Sequence, residues 1–215
     1  LDLFEQLLAD KVIYAEMRFA PLQHTSKGLT AFEVVQTVNK AVEEGIRETG
    51  IEARIILCTL RHYSESQSME TVQLVKQFAG TYVTGFDIAA DEAGFPLKNH
   101  VKAFQFAKEH QIFCTAHAGE AKGPESVWET LNYLYPTRIG HGVRSVEDYT
   151  LIEFLKQKGI HLEVCPTSNI QTNVFDVIEN HSVNTIYNSG VSMSINTDAR
   201  TTTPVTLTDE YALME

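Results

Sequence analysis

IFCTAHAGEAKGPESVWETLNYLYPTRIGHG, residues 112–142, contains one full turn of the pattern that organises the chain. Ile112–His117 is a short apolar run rich in Ile, Phe and Cys. It is too short for a stable helix and suits a buried strand. Gly123-Pro124-Glu125 then sets a proline in a first helical turn, followed by Val127, Leu131 and Leu134 at helical intervals. Thr137–Gly140 is a second short strand. Each strand runs into ionisable residues: His117-Ala118-Gly119-Glu120 after the first, Arg138-Ile139-Gly140-His141-Gly142 at the second.

The same alternation extends both ways. Val12–Phe19, Ala53–Thr59, Val83–Ala89, Ile160–Cys165 and Val191–Asn196 are the other strand candidates. Between them lie helical patterns with start and stop signals. Thr30 stands three residues before Glu33, a capping-box spacing, ahead of Val35, Val38, Val42 and Ile46, and Gly50 supplies the stop. Ser145 with Asp148 opens a segment carrying Tyr149, Ile152 and Leu155, closed by Gly159. About seven strand–helix units follow one another, as a parallel sheet covered by helices requires. A (β/α)8 barrel and a doubly wound open sheet both fit. No glycine-rich phosphate loop follows the first strand, which weakens the dinucleotide-binding open sheet. The barrel needs one strand more than the chain offers.

The bulk properties narrow the function. Over 215 residues, Lys and Arg total 17 against 28 Asp and Glu, a net charge of −11, with 43% hydrophobic residues. These are globular proportions, and the acidic balance argues against nucleic-acid or membrane-surface partners. No apolar run approaches membrane-spanning length. Cys58, Cys114 and Cys165 are odd in number and lie in apolar runs, which points to thiols in a reducing, cytoplasmic setting. The chain starts at Leu1 inside a helical pattern (Leu3, Leu7, Leu8) and ends in another, Leu207 to Glu215. Residues 1–215 therefore read as a single α/β-barrel domain truncated at both ends.

In parallel α/β proteins the site forms at the carboxyl ends of the strands. Those ends carry Glu16 and Arg18, Asp87 followed by Asp91-Glu92, His117 and Glu120, His141, Glu163 with Pro166-Thr167-Ser168-Asn169, and Asn196-Thr197-Asp198. Glu16 and Arg18 lie one strand step apart on one face and read as a structural pair. His24, His62, His100, His110 and His181 read as satisfied surface or supporting groups, and Cys165, before a proline, as a buried core thiol. His117, His141 and Asp198 have the donor chemistry of a divalent-metal site, imidazole nitrogen and carboxylate oxygen suiting zinc. Glu120, three residues after His117, is placed to act as a general acid or base. No G-x-S-x-G elbow offers a competing nucleophile.

Taken in order, four stretches resemble motifs of the adenosine deaminase family of metal-dependent hydrolases: His117-Ala-Gly-Glu120, Arg138-Ile-Gly-His141-Gly142, Glu163-Val-Cys-Pro166-Thr-Ser-Asn169 and Ser194-Ile-Asn-Thr-Asp198. Tyr14-Ala-Glu16-Met-Arg18-Phe-Ala-Pro21 and Gly85-Phe-Asp87-Ile-Ala-Ala-Asp91-Glu92 look like two more. The resemblance implies a (β/α)8 barrel of the metal-dependent hydrolase type holding one Zn2+, incomplete here because the first strand is absent. It implies His117 and Asp198 as metal ligands beside an H-x-H pair on that first strand. Glu120 would deliver a proton to N1 of a purine, His141 would orient the attacking hydroxide, and Asp198 would hold it toward C6. Substrate contacts would come from Glu120, Asp87 and the backbone of Ala90. No lysine follows Asp87 on its strand, which favours one metal over two.

This sequence departs from the family pattern in three ways. It contains no H-x-H; alanine stands at position 90 where glycine is common; and Ala199-Arg200 replaces a second aspartate that would contact N7. With two ligands missing, zinc would be held weakly or be absent. Gly140, where adenine deaminases tend to carry aspartate, favours the nucleoside. The reading is hydrolytic deamination of adenosine and 2'-deoxyadenosine in purine salvage, this chain being inactive alone. Alternatives are an adenine deaminase, another metal-dependent amidohydrolase, or a non-enzymatic module. A barrel short of one strand exposes sheet edges, so self-association or remodelling is expected near Val12–Phe19 and Val191–Asp198.

Overall fold

Five of the predicted strands start one or two residues early, and three of them share a cause. The computed structural model describes residues 1–214. Helix α1 (Asp2–Ala9) ends with Lys11 in the left-handed region at φ 58°. Lys11 N–H donates to the Leu8 carbonyl and Val12 N–H to the Leu7 carbonyl, the paired bonds of a Schellman stop. The apolar residue after such a stop is part of the helix ending, so strand β1 begins at Tyr14 (Tyr14–Phe19) rather than at Val12. Gln111 (φ 57°) and Ile112 end helix α4 (Val101–Glu109) in the same way, and β4 is Phe113–Ala118. Gly159 (φ 65°) and Ile160 repeat the device after α6 (Tyr149–Lys158), leaving β6 as His161–Val164.

The described residues divide into two compact units: Leu1–Ala90 with Pro96–Cys114, and Asp91–Phe95 with Thr115 onward. In the first, β1 pairs in parallel with β2 (Glu52–Leu60), β2 with β3 (Val83–Ala89), and β3 with the start of β4 through Gly85–Phe113 and Phe86–Cys114. Helix α2 (Ala31–Thr49) has the expected Thr30–Glu33 capping box and stops at Gly50 with φ 73°. Helix α3 (Glu65–Gln77) follows β2 and is capped in the same manner by Ser64 and Gln67. Ile55, Leu57, Phe86, Ile88 and Phe104 are fully buried in this unit. The near-continuous apolar runs of β2 and β3 are those of parallel strands. His100 is a satisfied core histidine, bonded to the Ser68 hydroxyl and the Arg61 carbonyl.

In the second unit, β4 pairs with β5 (Arg138–His141), β5 with β6, and β6 with β7 (Met193–Ile195), again all parallel. Helices α5 (Pro124–Leu134), α6, α7 (Pro166–Gln171), α8 (Val183–Ser189) and α9 (Leu207–Ala212) belong to it. Pro124 occupies the first turn of α5 as expected. The α6 cap is Asp148, which accepts from the Thr150 N–H; Ser145 instead lies in a 3-10 turn, Val143–Glu147. The expected C-terminal helix ends at Ala212, and Glu215 lies outside the described residues. Val127, Leu131, Ile139, Leu151, Leu155, Leu162, Val164 and Ile186 form the core.

Seven parallel strands in sequential order, each crossover carrying helix, are the connectivity of a (β/α)8 barrel one strand short of eight. Among the described residues no helix is long and apolar enough to cross a membrane.

Candidate active site

The last residues of β4 and β5 and the segments that follow β4, β6 and β7 carry the candidate residues of the second unit. The backbone turns sharply at or after the ends of β4, β5 and β7. Gly119 (φ 67°), His141 (φ 62°), Gly142 (φ 66°) and Asp198 (φ 57°) are all left-handed. Only glycine adopts that region freely; His and Asp tolerate it better than most, at a cost of about 1–2 kcal/mol.

Glu120 is held through its backbone. The Glu92 carboxylate is buried and accepts from the N–H groups of Gly119 (2.7 Å), Glu120 (3.0 Å) and Lys122 (2.9 Å), and from the Ser126 hydroxyl (2.5 Å). This clamp aims the Glu120 side chain, whose Oε1 accepts from the Thr172 hydroxyl at 3.3 Å. Its Oε2 lies 3.6 Å from His141 Nε2. Asp198 Oδ2 lies 3.9 Å from the same nitrogen and accepts from the Ser168 hydroxyl at 2.8 Å. The His117 ring stands 5.2 Å from the His141 ring, edge on. It fits because residue 140 is glycine: a Cβ there would sit 3.0 Å from the His117 ring.

The structure thus brings His117, Glu120, His141 and Asp198 together. Asp87 and Ala90 belong to the other unit. Asp87 is fully buried, with Oδ2 accepting from Arg18 Nη1 (3.0 Å) and from the Cys58 thiol (3.1 Å). Arg18, read as a partner of Glu16, thus forms an ion pair with Asp87, while Glu16 accepts from the Tyr14 hydroxyl. Ala90 is left-handed at φ 76°, the conformation for which glycine is the unstrained choice.

The sequence places Asn169 in a strand-end motif without a role of its own and marks His181 only as a supporting group. Asn169 and His181 are buried behind His141: Asn169 Nδ2 lies 3.1 Å from His141 Nδ1, and His181 Nε2 lies 3.2 Å from Asn169 Oδ1. Burial, together with the neighbouring His141, pushes the His181 imidazole down to about 4. Glu210, on α9, is buried and accepts from the Thr167 N–H; burial raises its carboxyl above the usual range. Cys165 is buried as expected. Yet one ligand atom each from His141, Cys165 and Asp198 lie within 4.8 Å of one another. Imidazole, thiol and carboxylate suit a borderline-soft divalent cation, and with the His141 nitrogens facing Asn169 and Glu120 the imidazole that fits a zinc-type metal beside Asp198 is that of His117.

The sequence model of the adenosine deaminase family matches residues 1–215. The chain belongs to the adenosine deaminase family. Among its relatives, the adenosine deaminase of Clostridium acetobutylicum is 34% identical over 98% of this chain and 63% of that protein. Of solved structures, the adenine deaminase of Arthrobacter aurescens superimposes with a TM-score of 0.92 at 26% identity, covering 99% of this chain and 65% of that one. The N6-methyl-AMP deaminase of Arabidopsis thaliana gives 0.87 at 26% identity, over 99% and 64%. This adenosine deaminase family chain therefore spans somewhat under two thirds of the length of these proteins. Their fold is the one that the strand order of this chain describes.

Proposed function

We propose that the protein removes the exocyclic amine of an adenosine-type purine by hydrolysis, releasing ammonia and the 6-oxo product. The observation that carries this reading is the approach of two carboxylates, Glu120 and Asp198, to one imidazole nitrogen of His141 at 3.6 and 3.9 Å. The geometry suits addition of water to an aromatic carbon that must first be made electrophilic. Glu120 donates a proton to the ring nitrogen N1 and so draws electron density from C6. His141 and Asp198 orient the attacking oxygen toward that carbon. The proton lost by the oxygen reaches the amine, the C6–N bond breaks, and ammonia leaves. Zn2+, held by His117 and Asp198 with ligands beyond these residues, would supply a Lewis acid that lowers the pKa of water toward neutrality.

Among purines, adenosine and 2'-deoxyadenosine are the proposed substrates. Gly140 leaves His117 its space, and the relatives at 34–36% identity bear the name adenosine deaminase. The adenine and N6-methyl-AMP deaminases among the structural neighbours make those two compounds the controls. Three buried cysteine thiols fit a reducing, cytoplasmic setting.

The test is Glu120→Gln in the intact protein. Gln keeps size and hydrogen bonding but holds no transferable proton. Zinc content, read by elemental analysis, should match wild type, while ammonia release from adenosine falls by about 100-fold or more. Retained turnover would refute the acid role. Turnover of adenine or N6-methyl-AMP but not adenosine would move the substrate assignment.

A further inference from the structure

The polar chain buried behind His141 has a direction. The Val183 backbone N–H can only donate, and it donates to His181 Nδ1 at 3.0 Å. A neutral ring that accepts at Nδ1 carries its proton on Nε2. That N–H donates to Asn169 Oδ1 at 3.2 Å. The other end of the Asn169 amide is then its NH2, which lies 3.1 Å from His141 Nδ1. His141 Nδ1 accepts this bond, so its own proton is on Nε2. The alternatives fail at the anchored end. Turning the amide over would set its NH2 against the His181 Nε2–H, and a charged His181 would set Nδ1–H against Val183 N–H. His181, Asn169 and His141 are 6%, 0% and 2% exposed, so water does not compete for these bonds. Burial, which holds His181 at about 4, keeps it neutral at physiological pH.

We propose that Asn169 and His181 are positioning residues that lock His141 as the neutral tautomer protonated on Nε2, so that His141 meets the attacking oxygen as a hydrogen-bond donor and not as a base. The Nδ1 lone pair is occupied by Asn169 and the Nε2 lone pair is replaced by a proton, so no basic site of this ring faces the substrate. Nε2–H points between Glu120 Oε2 and Asp198 Oδ2. Protons released from the oxygen must then go to those carboxylates. The tautomer stands on the hydrogen bonds alone; its catalytic consequence rests on the deamination proposed above.

The experiment is two-bond proton–nitrogen NMR of the histidine rings in the intact protein at neutral pH, with His141→Gln used to assign the His141 signals. Wild type should show both His141 and His181 unprotonated on Nδ1 and protonated on Nε2. Asn169→Asp offers His141 only acceptor oxygens, so it should place a proton on His141 Nδ1. Its kcat for adenosine should fall about 10-fold or more with KM within about 3-fold, the scale of lost supporting hydrogen bonds. A His141 that is charged or protonated on Nδ1 in wild type overturns the proposal. So does an Asn169→Asp protein with unchanged tautomer and kcat. Should that variant fail to fold, the wild-type spectrum alone decides. The expected tautomer in a protein that does not deaminate adenosine would support the relay and sink the functional reading instead.

Discussion

Replacing Glu92 by glutamine removes one acceptor oxygen from a clamp that holds four donors. Oε2 serves the N–H groups of Glu120 and Lys122, and Oε1 serves Gly119 N–H and the Ser126 hydroxyl. The glutamine amide does best with its oxygen toward Glu120 and Lys122, since its NH2 there would face two N–H groups that cannot reverse. On the other side Ser126 can turn and accept, but Gly119 N–H is left buried against a donor. One orphaned N–H costs about 1–3 kcal/mol, and losing the charge on the remaining bonds brings the total to about 2–4 kcal/mol. For a chain of this size that is a drop in Tm of roughly 4–16 °C. The loop that aims Glu120 also loosens, and a displacement of about 1 Å at a reacting group can cost about 100-fold in rate. Calorimetry and adenosine turnover on the intact protein measure both. A Glu92→Gln protein with Tm within about 2 °C of wild type and undiminished turnover would refute the clamp.

Gly140→Asp places a Cβ 3.0 Å from the His117 ring. The ring must move, and zinc affinity, measured by competition with a chelator, should fall about 10-fold or more. His181 makes stability depend on pH. Its folded-state value, about 4, lies below the unfolded value, so its contribution is full above about 6.5 and is lost as pH falls toward 4. The loss reaches about 3 kcal/mol at most. Urea denaturation at pH 7 and pH 5 should show a smaller pH effect in His181→Gln than in wild type. Ala90→Gly relieves a left-handed alanine at φ 76°. Strain relief of about 1–2 kcal/mol outweighs the added unfolded-state entropy, for a net gain of about 0.5–1 kcal/mol in unfolding free energy, read from urea denaturation.

The clustering of left-handed residues at strand ends explains part of what the sequence hides. His141 and Asp198 carry that strain at the site itself, while Lys11 and Gln111 carry it at helix stops. In the bare sequence the two uses look alike, as an apolar run with a polar neighbour. Hence Val12, Ile112 and Ile160 read as strand although they complete helix endings.

Period and punctuation alone determined the alternation of parallel strand and helix, the Thr30 cap, the Gly50 and Gly159 stops, and the placing of His117, Glu120, His141 and Asp198 at strand ends. Those features follow from local sterics and from which face is apolar, and both are written in neighbouring residues. The Glu92 clamp spans 27 or more positions and the Ser168–Asp198 bond 30. The His181–Asn169–His141 chain joins the segment before α8, helix α7 and the end of β5. A hydrogen bond between distant residues leaves no spacing to read. Only the fold decided which carboxylate grips a backbone, which histidine is neutral, and which nitrogen of His141 carries the proton.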